Sequence, residues 1–279
     1  MKVRLTILCE NTVGRPIKAV GEHGFACFVE TVGGNYLFDT GQGAGILRNA
    51  SVLNKDLAGI ESLVLSHGHY DHAGGLVDVL GATGELKVHA QPEIFQERFW
   101  VGEHEKRFIG IPYRRPLLEA LGARFHFERQ FRDIAPGVFL SGEVPRTTSF
   151  ERGDPHLMVP SDTGDGFEPD PFKDDLSLVL DTAKGLVVVV GCAHAGLVNI
   201  MRHVLDQTGK DRIYAVVGGT HLAGANEEQF DATLGALQDF GIEKIGTSHC
   251  TGQLRGAQIQ SRFGRRFFFA SVGASLEAG

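Results

Sequence analysis

Cysteine is scarce in this sequence: Cys9, Cys27, Cys192 and Cys250 are the only four, and no two share a CxxC spacing. In a chain of 279 residues that argues against a disulfide framework, which belongs to small secreted domains with too little core. No run approaches the roughly 18–20 uncharged apolar residues that a membrane-spanning helix requires, so no membrane partner is expected. The opening run Met1-Lys2-Val3-Arg4-Leu5-Thr6-Ile7-Leu8 is too short for a signal peptide, and no small-residue cleavage site follows it. It reads as a first strand, and a cytoplasmic location is the expectation. Positive charge is in deficit as well, with 27 Lys and Arg against 34 Asp and Glu and a net charge of -7. The pairs Arg114-Arg115 and Arg265-Arg266 make no basic stripe, which argues against nucleic acid as a partner. Internal repeats, heptads and low-complexity tracts are lacking too. Nothing in the sequence fixes an oligomeric state.

What is present is an ordinary globular composition, 42% hydrophobic and 22% charged, long enough to bury a sizeable core. Short β-branched or aromatic runs predict strands at Val3–Leu8, Phe25–Thr31, Tyr36–Phe38, Ser62–Leu65, Val138–Leu140, Leu176–Leu180, Leu186–Val190, Ile213–Val217, Lys244–Thr247 and Phe267–Ala270. Helices are predicted at Ala73–Leu80, Gly196–Gln207, Glu227–Asp239 and Gln253–Arg262, with Asn226 as an N-cap and Gly241 at C′. The tight turn Val32-Gly33-Gly34-Asn35 makes the first strands hairpins. Strands with interleaved helices imply an α/β fold of two packed sheets with helices outside. The chain reads as a single domain over 1–279, with two lid-like insertions near 93–115 and 143–175. The second is rich in proline, and long loops of this kind are commonly functional or disordered.

Histidine is plentiful, twelve in all, and imidazole is the commonest metal ligand. The dense cluster is Ser66-His67-Gly68-His69-Tyr70-Asp71-His72 at the end of a buried strand. Alternation in extended chain puts His67 and His69 on one side. A turn into the following helix brings Asp71 and His72 back towards them. Imidazoles around an open position make the arrangement catalytic zinc uses, and Asp71 with His72 offers a mixed N/O site beside it. Gly68, Gly74 and Gly75 keep the turn tight.

The spacing His67-x-His69-x-Asp71-His72 resembles the signature of the metallo-β-lactamase superfamily, and the likeness runs along most of the chain. It implies an αββα sandwich of two mixed sheets with metals at one sheet edge. It implies that Asp39, in Leu37-Phe38-Asp39-Thr40-Gly41, hydrogen-bonds a ligand histidine. His194, after the strand Val187–Val190, is implied as the third ligand with His67 and His69. His249, after Lys244–Thr247, is implied as the last ligand of a second metal with Asp71 and His72. Where most dinuclear relatives carry a bridging aspartate, this chain reads Gly218-Gly219-Thr220-His221-Leu222, so His221 stands either as a ligand or as a proton donor. Asp71 and His221 are the catalytic candidates. Cys192 and Cys250 flank ligand histidines and are expected behind them. The cofactor is expected to be one or two Zn²⁺, while His/Asp sites also admit Fe, Mn or Co.

The runs Glu22-His23-Gly24-Phe25, Gly142-Glu143-Val144-Pro145-Arg146-Thr147, Asp174-Asp175-Leu176-Ser177-Leu178, Gly191-Cys192-Ala193-His194, Gly218-Gly219-Thr220-His221-Leu222 and His249-Cys250-Thr251-Gly252 are similar to one branch. That branch is the 7,8-dihydropterin-6-yl-methyl-4-(β-D-ribofuranosyl)aminobenzene 5′-phosphate synthases. The likeness implies a metal-dependent hydrolase or a diphosphate-releasing transferase acting on a small phosphorylated, pterin-like substrate, and the motif does not separate the two chemistries. A phosphodiesterase or nuclease of the same fold, and a non-catalytic ligand-sensing relative, are the alternatives. Arg146 is the candidate for a substrate phosphate, because a guanidinium makes a bidentate fork. His23 and Glu22 are expected to line the pocket. Phe25 and Phe150 are offered as ring-stacking groups, with a core role as the other reading.

Overall fold

The computed structural model describes residues 1–161, 163, 164 and 166–279. Its strands are β1 (Val3–Cys9), β2 (Ala26–Thr31), β3 (Gly34–Phe38), β4 (Ile60–Val64), β5 (Leu86–Ala90), β6 (Phe99–Val101), β7 (Lys106–Phe108), β8 (Ala123–Phe127) and β9 (Arg132–Ala135). They continue with β10 (Val138–Leu140), β11 (Leu157–Pro160), β12 (Phe167–Pro169), β13 (Leu178–Thr182), β14 (Gly185–Val190), β15 (Ile213–Gly219), β16 (Lys244–Ser248), β17 (Phe267–Phe269) and β18 (Ser275–Ala278). One seven-stranded sheet runs β18-β1-β2-β3-β4-β5-β8 and a second runs β17-β16-β15-β14-β13-β10-β9.

Burial on alternate residues explains the layering. Leu5, Ile7, Cys27, Val29 and Phe38 of the first sheet meet Leu178, Leu180, Val187, Val189 and Val217 of the second in one buried cluster. The opposite face of the first sheet, with Phe28, Leu37, Leu63 and Val88, packs on the helices Ile46–Val52 and Leu76–Thr83. The opposite face of the second, with Val179, Val188, Val190 and Val216, packs on the helices Leu197–Thr208 and Glu227–Asp239. The result is the α/β sandwich in αββα order. Because both faces of β14 are covered, Val187, Val188, Val189 and Val190 are all fully buried and read as one continuous apolar run. Each such burial contributes about 1.5–3 kcal/mol against leaving the side chain exposed.

Strand direction decides where the site lies. β3, β4 and β5 are mutually parallel, as are β14, β15 and β16. Their carboxyl ends therefore release loops at a common edge, where ligand crevices of parallel sheets form.

The expected hairpin at β2–β3 and the Asn226 cap are present; Asn226 Oδ1 accepts from Gln229 N at 2.8 Å. The segment 143–175 is not the long loop expected, and the segment 93–115 carries strands as well. They contribute β6, β7, β11 and β12 to a four-stranded antiparallel sheet ordered β12-β11-β6-β7. Strands of three or four residues with no alternation carry no periodic signal. Asp162 and Asp165 of the second segment lie outside the described residues. This small sheet packs around Ile109, Leu157 and Phe172, with Tyr70 and Trp100 against them. Among the described residues no helix is long and apolar enough to cross a membrane.

Candidate metal centre

Asp39 organises the loop after β4. Its Oδ1 accepts from Ser66 N at 2.7 Å, and its Oδ2 accepts from Ser66 Oγ at 2.6 Å and from His72 Nδ1 at 2.7 Å. Since Ser66 gives its proton to Asp39, its oxygen accepts from His67 Nδ1 at 2.8 Å. Asn11 Oδ1 accepts from His249 Nδ1 at 3.0 Å. In each of these histidines one ring nitrogen is pinned outward and Nε2 is left for the centre, the arrangement that fixes an imidazole for coordination. The short helix Tyr70–Ala73, with His69 at its N-cap, turns Asp71 and His72 back over the strand end. Gly68 N donates to Asp174 Oδ2 at 2.8 Å. A Cβ at Gly68 would run into the Ile94 carbonyl, so only glycine fits there.

The histidines expected from separate strands meet. His67 Nε2 lies 3.0 Å from His69 Nδ1. Ring centroids are 4.7 Å apart for His67 and His194, 5.1 Å for His69 and His194, and 5.2 Å for His72 and His249. Asp71 Oδ2 is 3.1 Å from His249 Nε2 and 3.2 Å from His23 Nε2. Four groups have ligand atoms mutually within 4.8 Å: His67, Cys192 and His194; His72, Cys192 and His249; Cys192, His221 and Cys250; His23, Asp71 and His249.

Burial, then the neighbouring imidazoles, hold His67 well below its ordinary 6.5; His69 and His194 are held there chiefly by burial too. They are therefore neutral, as ligation requires. Burial opposes charge on His72, but Asp39 pushes it up to about 9. Burial also opposes charge on Asp71, yet hydrogen bonds from His23 and His249 hold it well below the usual carboxylate range. Burial drives the Cys192 thiol up, so it keeps its proton until a cation takes the sulfur.

A divalent cation fits these residues. His69 Nε2 and His194 Nε2 are buried without any hydrogen-bond partner, an arrangement native proteins rarely leave unless an ion or water completes it.

A family model of the metallo-beta-lactamase superfamily matches residues 20–210. The chain belongs to that superfamily. The metallo-β-lactamase chain is 32% identical over 260 residues to the Methanocaldococcus jannaschii 7,8-dihydropterin-6-methyl-4-(beta-D-ribofuranosyl)-aminobenzene-5'-phosphate synthase, covering 90% of this chain and 88% of that one. An uncharacterized protein of the same organism is 30% identical over 256 residues, covering 89% of this chain and 90% of its own. The crystal structure of a metal-dependent hydrolase of the beta-lactamase superfamily superimposes with a TM-score of 0.83 at 29% identity, covering 99% of both chains.

Other expected residues are placed less centrally in this metallo-β-lactamase fold. His221 lies on the wall of the cavity over the centre, its ring 4.5 Å from that of His194 and its Nε2 4.0 Å from Asp154 Oδ2. Cys192 was expected behind the ligands; instead it appears in three of the four groups. Arg146 does not line the cavity. It is exposed, and its Nη2 donates to the Pro171 carbonyl at 3.3 Å. Glu22 turns away to accept from Gly45 N at 3.1 Å. Phe25 sits in the inter-sheet core and Phe150 packs on the outer one.

The sequence reading missed Trp100, Arg107, Arg152 and His156, which line the cavity of about 800 Å³ together with His23, His69, Asp71 and Cys192. Trp100 and His156 stack, with centroids 5.1 Å apart, and the Arg107 guanidinium lies 5.1 Å from the Trp100 ring centre. No motif marks them, because they come from the short strands and loops of the insertions.

Proposed function

We propose that this superfamily member is a metal-dependent hydrolase or diphosphate-releasing transferase acting on a small phosphorylated, pterin-like substrate. The observation that carries the reading is the cavity itself. One wall bears the imidazole and carboxylate cluster, and the rest of its lining holds the guanidinium groups of Arg107 and Arg152 and the aromatic faces of Trp100 and His156. Guanidinium forks suit phosphate oxygens, and an aromatic face suits a flat ring. The printed name of the M. jannaschii relative supports a pterin and an arylamine phosphate as reactants.

His67, His69, Asp71, His72, His194 and His249 would hold one or two divalent cations, for which zinc is our first choice. A cation so held acidifies water and neutralises charge developing on a departing diphosphate. The remaining work falls to the chain. Arg107 and Arg152 orient the phosphates, Trp100 and His156 hold the ring, and Ile109 and Leu157 exclude water along the wall. Burial opposes charge on His221, but Cys250 and Asp154 raise it above its ordinary value, which suits a proton donor to the leaving oxygen.

The test offers the metal-loaded protein a dihydropterin methyl diphosphate with and without an arylamine, beside bis-p-nitrophenyl phosphate. Diphosphate release from the pterin, abolished by a chelator and by His67→Ala, is the expected result. Turnover of the diester alone would instead make the chain a phosphodiesterase, and activity surviving metal removal would overturn both.

A further inference from the structure

We propose that the sulfur of Cys192 is itself a metal ligand, shared between the His67–His194 set and the His72–His249 set. It takes the bridging place for which the sequence suggested His221. The inference shares with the proposed function the need for a divalent cation at this centre, but not its substrate or reaction.

Position carries the argument. Cys192 Sγ lies within 4.8 Å of ring nitrogens of His67 and His194, and likewise of His72 and His249. Among the described residues it is the side chain common to those two groups. Its distance to His72 Nε2 is 3.2 Å. The Asp71 carboxylate, by contrast, groups with His23 and His249 and not with His67 or His194. His221 groups only with Cys192 and Cys250, and not with any of the four histidines of those two sets.

The backbone fixes this placement. β14 ends at Val190, and a Cβ on Gly191 would run into the Ser66 side chain, so the chain passes hard against the Asp39–Ser66 node. Gly219 N donates to the Gly191 carbonyl at 3.0 Å from the other side. Ala193 follows at φ 55, and its left-handed turn separates Cys192 from His194 while both face the centre.

A merely structural cysteine would leave a different environment. A thiol is a weak donor and weak acceptor, and this one leaves His194 Nε2 without a partner although both belong to the same tight group. Four imidazoles converging on a buried sulfur make a ligand set, not a packing arrangement. On coordination the thiol proton passes to solvent and the sulfur lone pair goes to the cation, with no change of oxidation state. A thiolate in that place biases the centre towards zinc, cobalt or iron and against manganese or magnesium.

The test strips the full-length protein of metal under reductant, then titrates it with Co²⁺ and records the absorption spectrum of the wild type, Cys192→Ser and Cys250→Ser. We expect a near-ultraviolet sulfur-to-cobalt charge-transfer band in the wild type and Cys250→Ser. In Cys192→Ser the band is lost, while the visible bands of imidazole-bound cobalt persist. In parallel, cobalt should protect Cys192 of the wild type from iodoacetamide, read by peptide mass, which decides the matter even if Cys192→Ser does not fold. Cobalt uptake without the charge-transfer band, the same band in Cys192→Ser, or unprotected Cys192 in the loaded wild type would each overturn the inference while leaving the proposed function standing. A wild type that takes up no cobalt would sink both.

Discussion

A single carboxylate, Asp39, holds Ser66 at two atoms and His72 at one, and it does so at φ 58, a left-handed backbone that asparagine also tolerates. Asp39→Asn should therefore keep the fold but lose an acceptor for the His72 and Ser66 protons. Metal affinity is expected to fall by about 10–100-fold, measured by competition with a chromophoric chelator. Away from the centre, His89 is buried with Nδ1 unpartnered, and burial lowers it from 6.5 to about 4. Its folded value is depressed, so the stability it contributes is present above pH 6.5 and is lost as pH falls through about 4. Denaturant midpoints of the metal-free protein should decline over that window by something on the order of 1–3 kcal/mol, and His89→Gln should flatten the decline. An equal acid limb in the variant would assign the effect elsewhere.

Elements are joined through Arg98, fully buried just before β6. Its Nε donates to Asp170 Oδ2 at 2.7 Å and its Nη2 to Asp174 Oδ1 at 2.6 Å, while Asp174 Oδ2 accepts from Gly68 N. The four-stranded sheet is thereby fastened to the histidine loop through one ionic node. Arg98→Met strands two buried carboxylates and should cost about 3–5 kcal/mol, read from urea midpoints. At this scale the limits of the sequence are plain. The strands Val3–Leu8, Val138–Leu140 and Leu186–Val190 and the helix Glu227–Asp239 were legible because apolar runs and caps write them locally, and the structure reproduces their bounds within a residue or two. β6, β7, β11 and β12 were not, since each is stabilised by partners distant in sequence and by a node of charge that reads as surface. The cluster from His67 to His72 was legible from spacing alone. The place of Cys192 was not, because its approach to the histidines of the other sheet depends on the left-handed turn at Ala193 and on the close pass of Gly191 against Ser66, neither of which a spacing in the sequence shows.

For the whole molecule, the candidate centre brings side chains that follow strands of the first sheet (His67, His69, Asp71 and His72) against side chains that follow strands of the second (Cys192, His194 and His249). Backbone strain gathers at the same seam. Of the non-glycine residues with positive φ among those described, Asp39, Phe172, Ala193, His221 and His249 all border it, each carrying on the order of 1–3 kcal/mol. A cation bound only by the folded state stabilises it, by about 2.7 kcal/mol at a hundredfold excess over Kd. Calorimetry should accordingly show the melting temperature falling by several degrees on chelation and recovering on addition of zinc. An unchanged melting temperature would argue that no cation links the sheets.

The pairing of β1 with β18, Val3 opposite Ala278 and Thr6 opposite Ser275, has a consequence for biosynthesis. β1 is made long before this partner and is left with an open edge until residues 275–278 have been synthesised. During that interval the exposed edge of β1 is a template for pairing with other chains. Slowing synthesis ahead of residues 275–278, or breaking their pairing with Leu276→Pro, should therefore raise the share of aggregated product far more than the small size of β18 suggests.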